Sequence, residues 1–159
     1  VSCCYLRKDG VRKLKREVIR ERTLYGRYGQ SETQVMNRWM TKSFEDIDVW
    51  KQAMQLAYLT RVVLSSAQFK GDIDLKSQMR RAAVSIPSNI AEGYEKGYSK
   101  DSIRFYRIAK GSVGELRTQI ILCRMGKELP LETCEDLLTR AISVSRSLGG
   151  FIRHLQSRA

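Results

Sequence analysis

Tyr106-Arg107-Ile108-Ala109-Lys110-Gly111-Ser112-Val113-Gly114-Glu115-Leu116-Arg117-Thr118-Gln119-Ile120-Ile121-Leu122-Cys123 is the stretch that decides the fold. Tyr106, Ala109, Val113, Leu116, Ile120 and Cys123 recur in alternating steps of three and four, which lines one side of an α-helix with apolar groups. A half-buried strand would alternate every second residue instead. A period near 3.5 is what aligned, slightly supercoiled helices need. The helix reaches back to Ser99, a candidate N-cap, and forward to Met125 before Gly126.

The same rhythm appears on both sides. After Pro130, residues 131–155 place Cys134, Leu138, Ala141, Ser145, Leu148, Ile152 and Leu155 on one face. Before it, residues 75–92 turn Leu75, Met79, Ala82, Ala83, Ile86 and Ile90 inward, with Asp72 or Asp74 to cap the start and Gly93 and Gly97 to close the end. Pro87 lies inside this helix and removes one backbone donor, so a kink or short break is predicted there. A first helix over 44–68 would be capped by Ser43 with Asp46 as its capping-box partner. Its inward positions are Ile47, Trp50, Met54, Ala57, Arg61 and Leu64, all apolar but one. Helices of about 25 residues are on the order of 35 Å long. Joined by short connections, neighbours must run antiparallel. The fold class is therefore all-α: an up-down-up-down antiparallel four-helix bundle over residues 40–159, with helices at about 44–68, 75–92, 99–125 and 131–155.

Composition narrows the partner more than the fold. A chain of 159 residues is one domain's worth, its two prolines argue against a turn-rich β fold, and no stretch has the apolar length of a membrane span. The arginine-studded N-terminus has no apolar signal core, so a cytoplasmic location is expected. The formal charge is +12, of which residues 1–39 carry half. A basic surface attracts polyanions by releasing counterions, which makes nucleic acid the natural partner class and acidic lipid the second. Residues 1–39 read as a basic, disordered extension: Val11, Leu14 and Val18 make only two apolar turns, too few for a stable helix. Met40-Thr-Lys-Ser-Phe-Glu reads like a natural start, with the residues before it an upstream extension. An arginine-rich arm that folds on RNA is the competing reading. Cys3 and Cys4 are adjacent, while Cys123 and Cys134 fall on apolar helix faces, so neither a metal site nor a disulfide framework is expected.

The unusual chemistry lies in Gln78–Gly93, polar on one side and small-residued on the other, and in Gly111 and Gly114 of the third helix. Two glycines inside a helix cost roughly 1 kcal/mol each relative to alanine. Close approach of the second helix is the expected compensation, with Arg81, Asn89 and Glu115 forming a structural polar layer that sets register. An active site on Arg81, Glu92 and Glu115 is the alternative. It lacks a nucleophile with a base, a carboxylate pair with a defined role, and metal-ligand spacing, so no enzyme, cofactor or metal is expected. His154 stands near the end of the last helix without a partner motif. Lys110, Arg117 and Arg124 recur every seven residues beside the core stripe, Arg140, Arg146 and Arg153 add charge on the fourth helix, and Arg80 lies on the second. These seven are the candidate nucleic-acid contacts. Tyr94, Tyr98 and Phe105 are aromatics that would suit base stacking or a protein interface.

Arg80-Arg81-Ala82-Ala83-Val84-Ser85-Ile86-Pro87-Ser88-Asn89-Ile90-Ala91-Glu92-Gly93-Tyr94 resembles the hallmark of the bacterial four-helix-bundle family encoded within intervening sequences of 23S rRNA genes. Phe44–Trp50 and Arg104–Leu116 agree with it, and the match covers about residues 43–155. One departure is the first connection, which is a little short and has Lys70 where the family pattern has a proline after Phe69. The sequence is similar also to the accessory variability protein of diversity-generating retroelements. The resemblance implies a homo-oligomer, a pentameric ring of bundles, associated with ribosomal RNA. A protein–protein assembly adaptor is the second reading.

Overall fold

In the computed structural model the described residues, 43–97 and 100–157, form a short 3-10 turn (Phe44–Asp46) and four α-helices. These are α1 (Asp48–Ser65), α2 (Ile73–Glu95), α3 (Lys100–Met125) and α4 (Leu131–Gln156). α1 packs on α2, α2 on α3, α3 on α4, and α4 back on α1, while the diagonal backbones stand farther apart. This closed square is the antiparallel bundle that the short connections require. The extension before residue 40 and Ser99, the expected cap of the third helix, lie outside the described residues.

α1 is shorter than expected at both ends. Ser43 Oγ accepts a hydrogen bond from the Glu45 N–H at 3.3 Å and caps the 3-10 turn; the α-helix begins only at Asp48, after an Ile47 that gives no side-chain cap. A capping box needs the reach of Glu or Gln at its third position, and Asp46 is one methylene too short. At the other end Ser66 donates from Oγ to the Val63 carbonyl at 2.7 Å and accepts from the Gln68 N–H at 3.3 Å, drawing the backbone out of the helix.

α2 begins at Ile73, two residues before the expected start, and is capped by Asp72, whose Oδ1 accepts from the Leu75 N–H at 2.6 Å. It then runs through Pro87 without a break, to Glu95 and not only to residue 92. Pro87 cannot donate to the Ala83 carbonyl. Beside that gap, the Val84 carbonyl accepts from Ser88 Oγ at 2.9 Å and the Ser85 carbonyl from Asn89 Nδ2 at 2.7 Å. Gly97, at φ +69°, adopts the left-handed conformation that ends a helix.

All six stripe residues of α3 are buried, joined by Ile103, Ser102 and Ser112. On α2, Met79, Ala82, Ala83, Ile86 and Ile90 are buried and Leu75 is half-buried. On α4 the core is made by Cys134, Leu137, Ala141, Val144, Leu148, Phe151, Ile152 and Leu155, leaving Leu138 and Ser145 half-buried. Ile47 and Leu64 are buried as expected, but between them the α1 stripe is rotated by one residue from the expected one. Val49, Ala53, Leu56, Thr60 and Leu64 are buried, whereas Met54 and Arg61 are exposed. α1 carries apolar groups around most of its circumference, so periodicity does not single out one face. Packing instead selects the face that presents the small Ala53 and Thr60, and Thr60 Oγ1 is satisfied by the Leu56 carbonyl at 2.8 Å. The outer turn of Trp50 is covered by Phe44 at 5.2 Å between ring centroids, and Phe44 meets Tyr94 at 6.5 Å.

The glycines also differ from expectation. A β-carbon on Gly111 or Gly114 would find no heavy atom within 4 Å, so neither mediates close packing of α2 and α3. That role belongs to Gly93, where a β-carbon would lie 2.9 Å from the Tyr106 ring and 3.1 Å from the Ser102 carbonyl oxygen. The reason is angular: Gly111 and Gly114 fall on the side of α3 away from its buried stripe.

Candidate nucleic-acid interface

The polar residues between α2 and α3 form a smaller layer than the sequence suggests. Ser85 Oγ and Ser112 Oγ share a hydrogen bond of 2.9 Å across the two helices, and Asn89 Nδ2 donates to Ser85 Oγ at 3.0 Å. Asn89 thus belongs to the layer, but Arg81 and Glu115 are exposed and take no part in it. Two charged groups would lose hydration in such a place, whereas two hydroxyls and an amide satisfy one another. The Ser–Ser pair also fixes register, because only one alignment of α2 and α3 brings the hydroxyls together. The cue available in the sequence was the facing pair of small polar residues, Ser85 and Ser112.

The seven candidate cations fall on three different edges. Lys110 Nζ and Arg153 Nη1 each lie 3.6 Å from the position of a β-carbon on Gly149, which puts the two cations within about 7 Å of each other. Lys110 therefore stands on the α4-facing edge of α3. Arg124, two heptads further, acts electrostatically on Cys134 at the start of α4, so the same edge is followed to its end. Arg117, midway between them, is half-buried on that edge. On α4, Arg146 lies one turn before Gly149 and Arg153 one turn after it, both exposed. Lys110, Arg117, Arg124, Arg146 and Arg153 consequently line one α3–α4 face.

Arg140 and Arg80 do not share it. Arg140 is seven residues from Ser147, whose hydroxyl bonds Gln52 of α1 at 3.2 Å, and so stands on the α1-facing edge. Its Nε is engaged by Asp136 Oδ2 at 2.9 Å, an i,i+4 pair. Arg80 reaches across to α1, its Nη2 donating to Ser65 Oγ at 3.3 Å. One member of the α3–α4 face escapes a reading based on heptads alone: Gly149, over which Lys110 and Arg153 meet and where a β-carbon would make ordinary contact with both at 3.6 Å. Arg107 is exposed on α3 seven residues before Gly114, on the outer side of the helix.

The remaining chemical groups point elsewhere. Cys123 and Cys134 are free and buried. Burial, with Glu128 adding to it, pushes the Cys123 thiol up to about 12, and burial raises Cys134 as well. These are thiols, not thiolates, at neutral pH, and unsuited to nucleophilic work. No group of three or more His, Cys, Asp or Glu capable of holding a metal occurs among the described residues. His154 is half-buried in the last turn of α4. Tyr94 and Phe105 are half-buried, the latter with Lys96 Nζ at 5.8 Å from its ring centroid, and Tyr98 lies outside the described residues. No described helix is long and apolar enough to cross a membrane.

The family model of the 23S rRNA-intervening sequence protein matches residues 45–150. A crystal structure from Bacteroides thetaiotaomicron, of a protein of unknown function from the S23 ribosomal protein family, shares the fold at 20% identity and a TM-score of 0.56, over 65% of this chain and 97% of that one. Comparison with curated proteins gave no match.

Proposed function

Since the chain belongs to the 23S rRNA-intervening sequence protein family, we propose that it is a non-enzymatic, homo-oligomeric protein that holds ribosomal RNA, either the fragmented rRNA or its insert, against the α3–α4 face. The observation that carries this reading is the convergence of Lys110 and Arg153 over Gly149. Among the described residues neither cation forms an ion pair with a carboxylate; two such cations repel each other, and a phosphate between them relieves that repulsion. Arg117 stands half-buried between Lys110 and Arg124 on the same edge and adds its charge to it. Arg124 and Arg146 continue the basic track along the bundle.

Filter binding of the full chain to rRNA fragments over a salt series tests this. Affinity should fall as salt rises, and the paired change Lys110→Ala with Arg153→Ala should reduce the slope by roughly 1–2 in log–log terms. Binding that is absent near physiological salt, or insensitive to salt, would sink the RNA reading. The assembly-adaptor alternative would then stand, favoured by the exposed apolar side chains Tyr58, Val84 and Leu122.

A further inference from the structure

α3 carries a second seam. Opposite its buried stripe, Ile108, Gly111, Glu115, Thr118, Leu122 and Met125 repeat in the same steps of three and four, all on the exposed side. Ile108, Leu122 and Met125 are 41%, 51% and 74% accessible, large values for apolar side chains within one helix. In the middle, Gly111 and Gly114 leave a notch with no atom within 4 Å of either missing β-carbon. Nothing among the described residues offsets the helix propensity these glycines forgo. α2 presents a matching ridge on its α1 side. Arg80, placed there by its bond to Ser65, is flanked at helical spacing by Ile73 and Val84, which are 81% and 60% accessible.

The two seams are complementary height by height. The Ser85–Ser112 hydrogen bond sets these two residues level, and the helices run antiparallel from there. Val84 then stands level with Gly111 and Gly114, Arg80 with Glu115 and Thr118, and Ile73 with Leu122 and Met125; at the far end Glu95 is level with Arg104. Within one chain these groups lie on different sides of the bundle and cannot meet. Between two copies with parallel bundle axes they would meet at equal height: a valine knob over a glycine notch, an arginine on a carboxylate, and apolar on apolar. The geometry points to a head-to-tail interface in which the α2 ridge of one copy docks on the outer α3 seam of the next. A head-to-tail contact closes into a ring when its rotation allows. This inference rests on the oligomeric part of the proposed function and names the surface that builds it. It leaves the α3–α4 cationic face to RNA.

The test is native mass spectrometry and sedimentation of the full chain without nucleic acid, over a dilution series. Gly111→Leu meets open space within its own chain and should keep the helical circular dichroism and melting temperature of a folded bundle. It should raise the concentration needed for assembly roughly 30-fold or more by blocking the notch. Glu115→Arg should do the same, and adding Arg80→Glu should restore assembly. A wild-type chain that stays monomeric overturns both this interface and the oligomeric reading. Assembly unaffected by Gly111→Leu and Glu115→Arg overturns the interface alone. Failure of the double variant to recover overturns the Arg80–Glu115 register.

Discussion

Single atoms explain why similar residues behave differently in this bundle. Gly93 is in contact with the Tyr106 ring and the Ser102 carbonyl, and the carbonyl cannot move without disturbing α3. Gly93→Ala should therefore cost about 1–3 kcal/mol in urea unfolding. Gly150 meets only the tip of Arg153 at 4.0 Å, and Gly150→Ala should stabilise by up to about 1 kcal/mol. Equal effects at the two sites would show that helix propensity, not contact, governs both. Cys123 makes a second prediction. Its thiol is held up to about 12 in the folded chain against 9.0 otherwise. Folding thus favours the protonated form; the associated stability is fully present below pH 9 and is lost as pH rises toward 12. The advantage of wild type over Cys123→Ala in urea unfolding should accordingly shrink by about pH 10. Cys3 and Cys4 also carry thiols, so alkylation must be read by peptide mapping: Cys123 and Cys134 should stay unlabelled until denaturant is added. The value of these residues could not be read from the sequence, because a glycine or cysteine code says nothing of what lies opposite it.

Elements show where periodicity succeeds and where it fails. α3 was read in the right phase, since Arg107, Lys110, Glu115 and Arg117 flank its inner stripe, whereas its outer apolar residues, Ile108, Leu122 and Met125, are interrupted by Gly111, Glu115 and Thr118. α1 was read one residue out of phase, because Leu59, Val62 and Val63 spread apolar character round the helix. The phase has a direct test: Ala53→Leu should cost about 1–3 kcal/mol by overpacking a fully buried site, whereas Met54→Gln should stay within about 0.5 kcal/mol. The reverse order would restore the other phase. The connections have a similar logic. Lys70 donates its backbone N–H to the Glu128 carbonyl at 2.9 Å, tying the α1–α2 connection to the α3–α4 connection. A proline there has no hydrogen to give. The departure from the family pattern thus coincides with a tie that proline would forbid, and Lys70→Pro should cost about 1 kcal/mol or more.

For the whole molecule, charge alone does not locate function. Arg140 and Arg146 are both basic residues of α4, yet one is paired with Asp136 on the α1 edge and the other faces the α3–α4 track. Arg146→Ala should weaken RNA retention in filter binding and lessen its salt dependence, while Arg140→Ala should leave both nearly unchanged. Equal losses would mean that net charge, not a defined face, attracts the RNA. By itself the sequence determined four helices, their antiparallel order and most of the buried stripes, because each follows from local spacing along a chain with short connections. The tertiary structure decided the rotation of α1, the partners of Ser85, Gly93 and Lys70, and the division of the cations among three edges. Those properties depend on which residues meet across helices far apart in the chain, and on small differences in packing and hydration that no single helix contains.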